Sequence, residues 1–340
     1  MSRLILDSNQ HILAERRPAL AQIQAQKAPD QLSSSALAAS ITKKASTQTY
    51  FTIRYLVDPQ LVDDAYRAYA YYRWVDDTLD QGQLAKAERL DFLARQKEII
   101  ERCYQGEWPE GLTPEEQLVV ELIHNDQEEN SGLRTYIDQM MAVMVFDANR
   151  KNRLISQVEL VEYTQSLATA VTEAMHYFIG HHDVSPKDET RYLAVTAAHI
   201  THMLRDTIED AAAGYYNIPS DILKTHAISP TNVNHDAYRA WVHSQVKLAR
   251  SYFATGRSYM DRVENPRCRL AGYAYIVRFE VVLKAIERDS YRLRPAYPER
   301  KSKRAALKMG LAALSRLIIS SLPSSQATSH SARPSAEVGR

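Results

Sequence analysis

Apolar residues recur at spacings of three and four along most of the chain, and few stretches alternate as strands do. That pattern predicts helices almost throughout. One helix is expected from about Pro59 to Asp80. Others are expected over Leu84–Cys103, Pro114–Asn125, Gly132–Asn149, Gln157–Ile179, Asp188–Ala213, Asp236–Val263, Arg267–Arg288 and Lys301–Leu322. The connectors "HHDVSPKD", "KTHAISPTNVNHD" and "YRLRPAYPE" hold the prolines and small polar residues that interrupt helices. The Ala/Ser-rich stretch "QLSSSALAASITKKAS" is either a loosely held helix or a linker, so residues 1–45 read as an N-terminal extension. Residues 323–340 carry almost no core-forming side chains and read as a disordered tail. No repeat and no strong linker interrupts 46–322, so one all-α domain, a helical bundle, is expected there.

Composition removes several alternatives. A chain of 340 residues with 45% apolar content sustains a substantial core. Its 42 basic and 41 acidic side chains leave a formal charge of +1, so nucleic acid is not an expected partner. Cys103 and Cys268 are too few and too far apart for a disulfide scaffold or a zinc site, and a reduced cytoplasmic compartment is expected. No run reaches the ~18 apolar residues of a membrane span, and "MSRLILDSNQHILAERR" is charged too early for a secretory signal. The amphipathic run Leu311–Leu322, interrupted by Arg316, ends a helix or touches a membrane surface. Nothing in the pattern sets an oligomeric state. Only ten glycines occur, with no GxGxxG or GxxxxGK[ST] sequence, so phosphate binding by a glycine-rich loop is unsupported.

The chemistry gathers on two helical stripes. In "YYRWVDDTLD" (71–80), steps of four, three and four place Tyr69, Arg73, Asp76 and Asp80 on one face, which continues back through core-like Tyr66 and Val62. In "AAHITHMLRDTIEDAAAG", His199, His202, Asp206 and Asp210 share a stripe that begins at Val195. Carboxylates one turn apart repel by ~0.2–0.5 kcal/mol even when exposed, and burying them is worse unless cations compensate. Oxygen-only pairs suit magnesium, which prefers one or two carboxylates, water and substrate phosphates. Arg73 and Arg205 stand beside the acids, as phosphate binding requires. A single acidic pair on a helix is ordinarily solvated or salt-bridged. Two pairs on apolar stripes, each with an arginine, point instead to magnesium-assisted departure of diphosphate.

"YRAYAYYRWVDDTLDQ" and "HMLRDTIEDAAAGYYNIPSDIL" resemble the two aspartate-rich motifs of the squalene/phytoene synthase family. "STQTYF" (Ser46–Phe51), "ELVEYTQSLATAV" (Glu159–Val171) and "RFEVVLKAIERDSY" (Arg278–Tyr291) are similar to weaker family segments in the same order, so the resemblance covers about 46–312. It implies an isoprenoid-synthase bundle with a central hydrophobic cavity, closed at one end by the facing motifs. It further implies that Asp76, Asp80, Asp206 and Asp210 hold Mg2+ (or Mn2+), and that two farnesyl or geranylgeranyl diphosphates join head to head. By the same resemblance Arg73, Arg205, Arg294 and Lys301 bind diphosphate. Thr49, Tyr50, His202 and Phe279 lie at the substrate, and Tyr69 and Tyr163 face the cavity, where ring faces stabilise cations by ~0.5–2 kcal/mol. For Tyr66, Tyr71 and Tyr72 core packing is expected.

The chain departs from the family pattern at several points. His202 replaces an Asn, Thr169 a Gly and Phe279 a Tyr, and "AAAGYYNIP" replaces an Arg-rich run. Reduced positive charge there points toward weaker binding or a single ionisation. The absence of a dinucleotide fingerprint weakly disfavours NADPH, but the family does not need that fingerprint to bind it. NADPH therefore stays open and is needed only if hydride quenches the final cation. The alternatives are a terpene cyclase that ionises one prenyl diphosphate and a helical assembly protein without catalysis. His176, His181 and His182 in "HYFIGHH", and His199 with His202 and Asp206, are competing candidates for a zinc site. "RLRPAYPERKSKRAALK" is a solvated helix start or a contact with anionic lipid, which would make the enzyme peripheral to a membrane.

Overall fold

The computed structural model describes residues 33–80 and 84–301. Among them run eleven α-helices and no β-strand. They are α1 (Ser34–Ala45), α2 (Thr47–Leu56), α3 (Val62–Asp80), α4 (Lys86–Tyr104), α5 (Glu116–Asn125), α6 (Gly132–Arg150), α7 (Gln157–Phe178), α8 (Leu193–Ala212), α9 (Ser220–His226), α10 (Asp236–Arg262) and α11 (Pro266–Arg288).

Short polar side chains set where many of these helices begin. Ser33, Ser46 and Ser131 accept from backbone N–H groups of α1, α2 and α6. At α7, Ser156 and Glu159 form a reciprocal capping box. Asn265 caps α11 just before Pro266, whose missing N–H costs nothing at a helix start.

α6 packs along α7, and α8 lies against α7, α10 and α11, while α3 is flanked by α1 and α5. α8 and α10 come unusually close at Gly256, where a Cβ would sit 2.7 Å from that of Ala194. Among the tyrosines, Tyr66, Tyr71 and Tyr72 are buried, as expected for packing residues. Their hydroxyls are still satisfied: Tyr71 donates to Gln96 Oε1 (3.1 Å) and Tyr72 to the Ile137 carbonyl (2.7 Å). Both cysteines are free and buried. No helix among the described residues is long and apolar enough to cross a membrane.

Four elements differ from the pattern's expectation, the first being α2, which falls where no helix was expected. The Ala/Ser-rich stretch forms α1, with Ala38 and Thr42 fully buried and Arg67 of α3 bonding Ser34 and Ser35. It is therefore part of the packed domain, because small side chains allow close approach without long apolar ones. α9 falls in a stretch assigned to no helix. The helix expected from Asp188 starts at Leu193, after a 3-10 turn over Glu189–Tyr192 whose entry Asp188 caps. Residues 1–32, the helix expected beyond Lys301 with its amphipathic run, and the tail 323–340 lie outside the described residues.

Candidate active site

Both acidic stripes run from buried to open towards the C-terminal ends of their helices. On α3, Tyr66 is buried, Asp76 half-buried and Asp80 exposed. On α8, Val195 and His199 are buried, Asp206 and Asp210 partly so, and His202 is exposed. The acids therefore stand at a rim instead of deep in the core. Each helix also adds the partial negative charge of its C-terminus to that rim.

The two stripes are joined on two sides. On the first side, Tyr163 of α7 donates to Asp147 Oδ2 (3.0 Å), and Arg150 Nε donates to Asp147 Oδ1 (2.6 Å). Arg150 Nη1 then donates to Asn217 Oδ1 (2.9 Å), and Asn217 Nδ2 to Asp210 Oδ2 (2.7 Å). The Arg150 guanidinium also lies 4.8 Å from the Tyr163 ring and 5.2 Å from that of Tyr215. The loops after α6 and α8 are held together by the bond from Asn152 N to Gly214 O (2.8 Å), which brings Asn217 within reach of Arg150. Asp147 is close enough to Asp80 and Asp76 for their charges to oppose ionisation of one another.

On the second side, Arg278 of α11 is near enough to Tyr69 of α3 and Arg205 of α8 to feel their charges. Burial, with the neighbouring Arg205 charge, lowers the Arg278 pKa, and its Nε has no hydrogen-bond partner among the described residues. Two guanidinium groups whose charges oppose one another, one with an unmade Nε bond, are suited to an anion. Phe279 adjoins this side, its ring 6.4 Å from that of His202 and 5.0 Å from that of Tyr275.

The acids differ in charge state. Burial pushes Asp76 up to about 6, and Asp80 and Asp147 push the same way against the pull of Arg73. Burial also raises Asp210 to about 6, opposed by Asn217 and assisted by Asp206. Asp206 is buried too, yet it is held well below the usual range by bonds from Arg205 and from His202 (2.8 Å). Arg73 bonds Asp77 (3.1 Å from Nε) as well as Asp76 (3.3 Å). Asp76, Asp77, Asp80, Asp147, Asp206 and Asp210 thus outnumber Arg73, Arg150, Arg205 and Arg278. An all-oxygen donor set with surplus negative charge fits hard divalent cations. The acids do not close on one point. Among the described residues, the set of three His, Cys, Asp or Glu side chains with ligand atoms all within 4.8 Å is Glu128, His181 and His182. Magnesium held by one or two carboxylates and completed by water and phosphate fits such a spread rim.

Several expected residues stand elsewhere. Thr49 Oγ1 donates to Ser46 Oγ (2.8 Å), and Tyr50 stacks on Tyr66, with ring centroids 5.2 Å apart. Arg294 is paired with Asp289 (2.7 Å) and Glu299 (2.9 Å) and lies over the Tyr297 ring. No described interaction joins these three to the acids. The Lys301 side chain lies outside the described residues. His199 makes no zinc site with His202 and Asp206. Burial lowers its pKa to about 3, its ring is 5.1 Å from that of Tyr163, and neither nitrogen has a partner among the described residues. His176 is drawn into the interior by Tyr259 (3.0 Å) and Cys268 (3.7 Å), apart from His181 and His182.

The sequence pattern did not single out Asp147, Arg150, Asn217 or Arg278. "FDANR" carries the first two three residues apart on one helical face, a spacing common in solvated pairs, so it marked nothing. Asn217 was legible only as a departure from an Arg-rich run.

The squalene/phytoene synthase family model matches residues 42–309. A presqualene diphosphate synthase of Rhodopseudomonas palustris is 25% identical over 223 residues, covering 64% of this chain and 75% of that protein. The solved structure of squalene synthase HpnC from Alicyclobacillus acidocaldarius superposes with a TM-score of 0.61 at 20% identity, over 77% of this chain and 95% of that one. A dehydrosqualene synthase in complex with ligand gives 0.65 at 17%, over 84% and 97%. At such identities these structures establish a shared fold, the isoprenoid-synthase bundle expected above. With the family match spanning most of the chain and two acidic helix ends joined around one rim, the protein is a prenyltransferase that belongs to the squalene/phytoene synthase family.

Proposed function

We infer that the chain condenses two C15 allylic diphosphates head to head into a cyclopropylcarbinyl diphosphate, releasing one diphosphate. C1 of the donor loses its diphosphate and bonds to the C2–C3 double bond of the acceptor. A proton leaves as the three-membered ring closes, and the acceptor keeps its own diphosphate. The observation that carries this is the joined rim, with acids on α3 and α8 and with Arg278, whose Nε has no hydrogen-bond partner among the described residues, within reach of the Arg205 charge. The name of the R. palustris relative supports the C15 pair and a product that retains diphosphate.

Asp76, Asp80, Asp206 and Asp210 would hold magnesium, which when bound supplies charge to neutralise a departing diphosphate. Arg205 and Arg278 grip phosphate oxygens from the α8–α11 side. Arg150 fixes Asp147 and, through Asn217, Asp210, so that both acid sets stay in register. The rings of Tyr69, Tyr163 and Phe279 face developing positive charge without offering a competing nucleophile. The neutral Asn217, in place of an Arg-rich run, supports stopping after one ionisation, because a second departing diphosphate has less positive charge to receive it.

The test is incubation with labelled C15 and C20 diphosphates and magnesium, with and without NADPH, followed by mass analysis. The expected product is C30 and retains one diphosphate. A hydrocarbon would mean that a second ionisation follows, and NADPH dependence would mean that hydride ends it. A product with one substrate's carbons would make the enzyme a cyclase and overturn the inference. Asp80→Ala and Asp206→Ala should each cut turnover by at least about 10²-fold while leaving the helical circular dichroism intact.

A further inference from the structure

At the far end of α7, fifteen residues beyond Tyr163 and so about 22 Å along the helix axis from the acidic rim, lies a second cluster with metal-binding character. We propose that Glu128, His181 and His182 form a binding site for a borderline divalent cation of the zinc class. One ligand atom from each of the three lies within 4.8 Å of the others.

The hydrogen bonding of His181 gives this cluster its meaning. Its Nδ1 is 2.9 Å from the Tyr177 carbonyl oxygen, which can only accept, so Nδ1 carries the hydrogen. The neutral ring then presents a lone pair at Nε2. That atom faces Glu128 Oε1 at 3.1 Å, a second acceptor. Two acceptors at this separation need a cation between or beside them, either a proton or a metal ion. A ring nitrogen oriented by a backbone carbonyl on its other nitrogen is the usual arrangement of a metal-ligating histidine. The His182 ring stands against that of His181, with centroids 4.7 Å apart, and supplies a second nitrogen. Two imidazoles and one carboxylate suit zinc better than magnesium. Water can complete a tetrahedron, because Glu128 and His182 are exposed.

The site is held in place before any ion arrives. Asp58 Oδ2 accepts from the backbone N–H of Gly180 (3.1 Å) and of His181 (3.0 Å). Gly180 turns the chain at a φ of 79°, where a Cβ would meet Asn265 Nδ2 at 2.6 Å. Tyr177 serves both halves, since its carbonyl orients His181 while its hydroxyl donates to Asp126 Oδ1 (3.1 Å), which also accepts from Glu128 N (3.2 Å). A bound ion would therefore clamp the α5–α6 connection to the turn after α7. It would act on stability and leave prenyl transfer untouched.

The test uses the full chain stripped with chelator and titrated with Zn2+ by calorimetry, or with Co2+ by visible absorption, at pH 7.5. Asp80→Asn and Asp210→Asn variants run in parallel to exclude the rim. One equivalent is expected in all three proteins, and it should raise the thermal midpoint. His182→Gln, an exposed position that leaves the fold intact, should weaken binding at least about 10-fold, and His181→Gln with Glu128→Gln should abolish it. If wild-type protein takes up no zinc, or the His181→Gln/Glu128→Gln double variant binds it unchanged, the idea fails and a proton alone bridges His181 and Glu128. Because the readout is metal uptake, it is independent of which prenyl product the rim makes.

Discussion

At Arg150 a single guanidinium bonds Asp147, bonds Asn217 and lies over the rings of Tyr163 and Tyr215. Arg150→Met keeps the aliphatic stem and removes the charge, stranding a part-buried carboxylate and a buried amide. Breaking such a pair costs roughly 3–5 kcal/mol, so the denaturation midpoint should fall sharply with the slope unchanged. His199 presents the opposite case. Its two ring nitrogens are buried without partners among the described residues, and a polar group in that state costs about 1–3 kcal/mol. His199→Leu fills a similar volume without the polar atoms and should raise unfolding stability by about that amount. An unchanged or lowered midpoint would show that those nitrogens are satisfied in the folded protein. Neither residue could be ranked from the sequence alone: His199 was visible as a member of the α8 stripe and as a zinc candidate, but whether its nitrogens find partners is decided by side chains from other helices.

Among the elements, the α8–α10 seam depends on Gly256. Gly256→Ala places a methyl group 2.7 Å from Ala194 Cβ, and relieving that overlap must move one helix. Overpacking of this kind costs typically about 1–3 kcal/mol; a thermal midpoint equal to wild type would show that the seam is looser than described. The long helices were legible because a three-four apolar spacing repeated over twenty residues has no other stable solution. Gln157–Phe178 and Asp236–Arg262 accordingly match their expected bounds to within a residue. α1 and α9 were not legible in the same way. α1 is mostly Ala, Ser and Thr, whose small side chains carry little apolar contrast, and the 7-residue α9 is too short for its period to show.

At the scale of the molecule, the rim makes stability depend on pH and on divalent cations together. Asp76 and Asp210 have folded pKa values raised to about 6, so in metal-free protein they hold protons that the unfolded chain releases near 4. Their contribution is present below about pH 4 and is lost as pH rises through 6. On the proposed function magnesium binds the deprotonated carboxylates, so its stabilising effect should grow over the same window. Thermal unfolding with and without magnesium should show a larger upward shift at pH 7.5 than at pH 5; the reverse order would contradict a carboxylate-held cation. The two acidic stripes could be read directly as sequence, since each is local to one helix. Their junction through Asp147, Arg150, Asn217 and Arg278 could not, because it is assembled from four chain segments.

The unequal satisfaction of the acids also sets an itinerary. Asp206 already has Arg205 and His202 for company, whereas burial and the Asp80 charge oppose ionisation of Asp76 and Asp147 against the pull of Arg73 and Arg150. On the proposed function, the first ion to arrive is therefore drawn to the α3 side, and the helix opposite waits for a phosphate to carry the next one in. Asp76→Asn should erase the rise in midpoint caused by magnesium alone, while Asp206→Asn should leave most of it and fail only once a prenyl diphosphate is added.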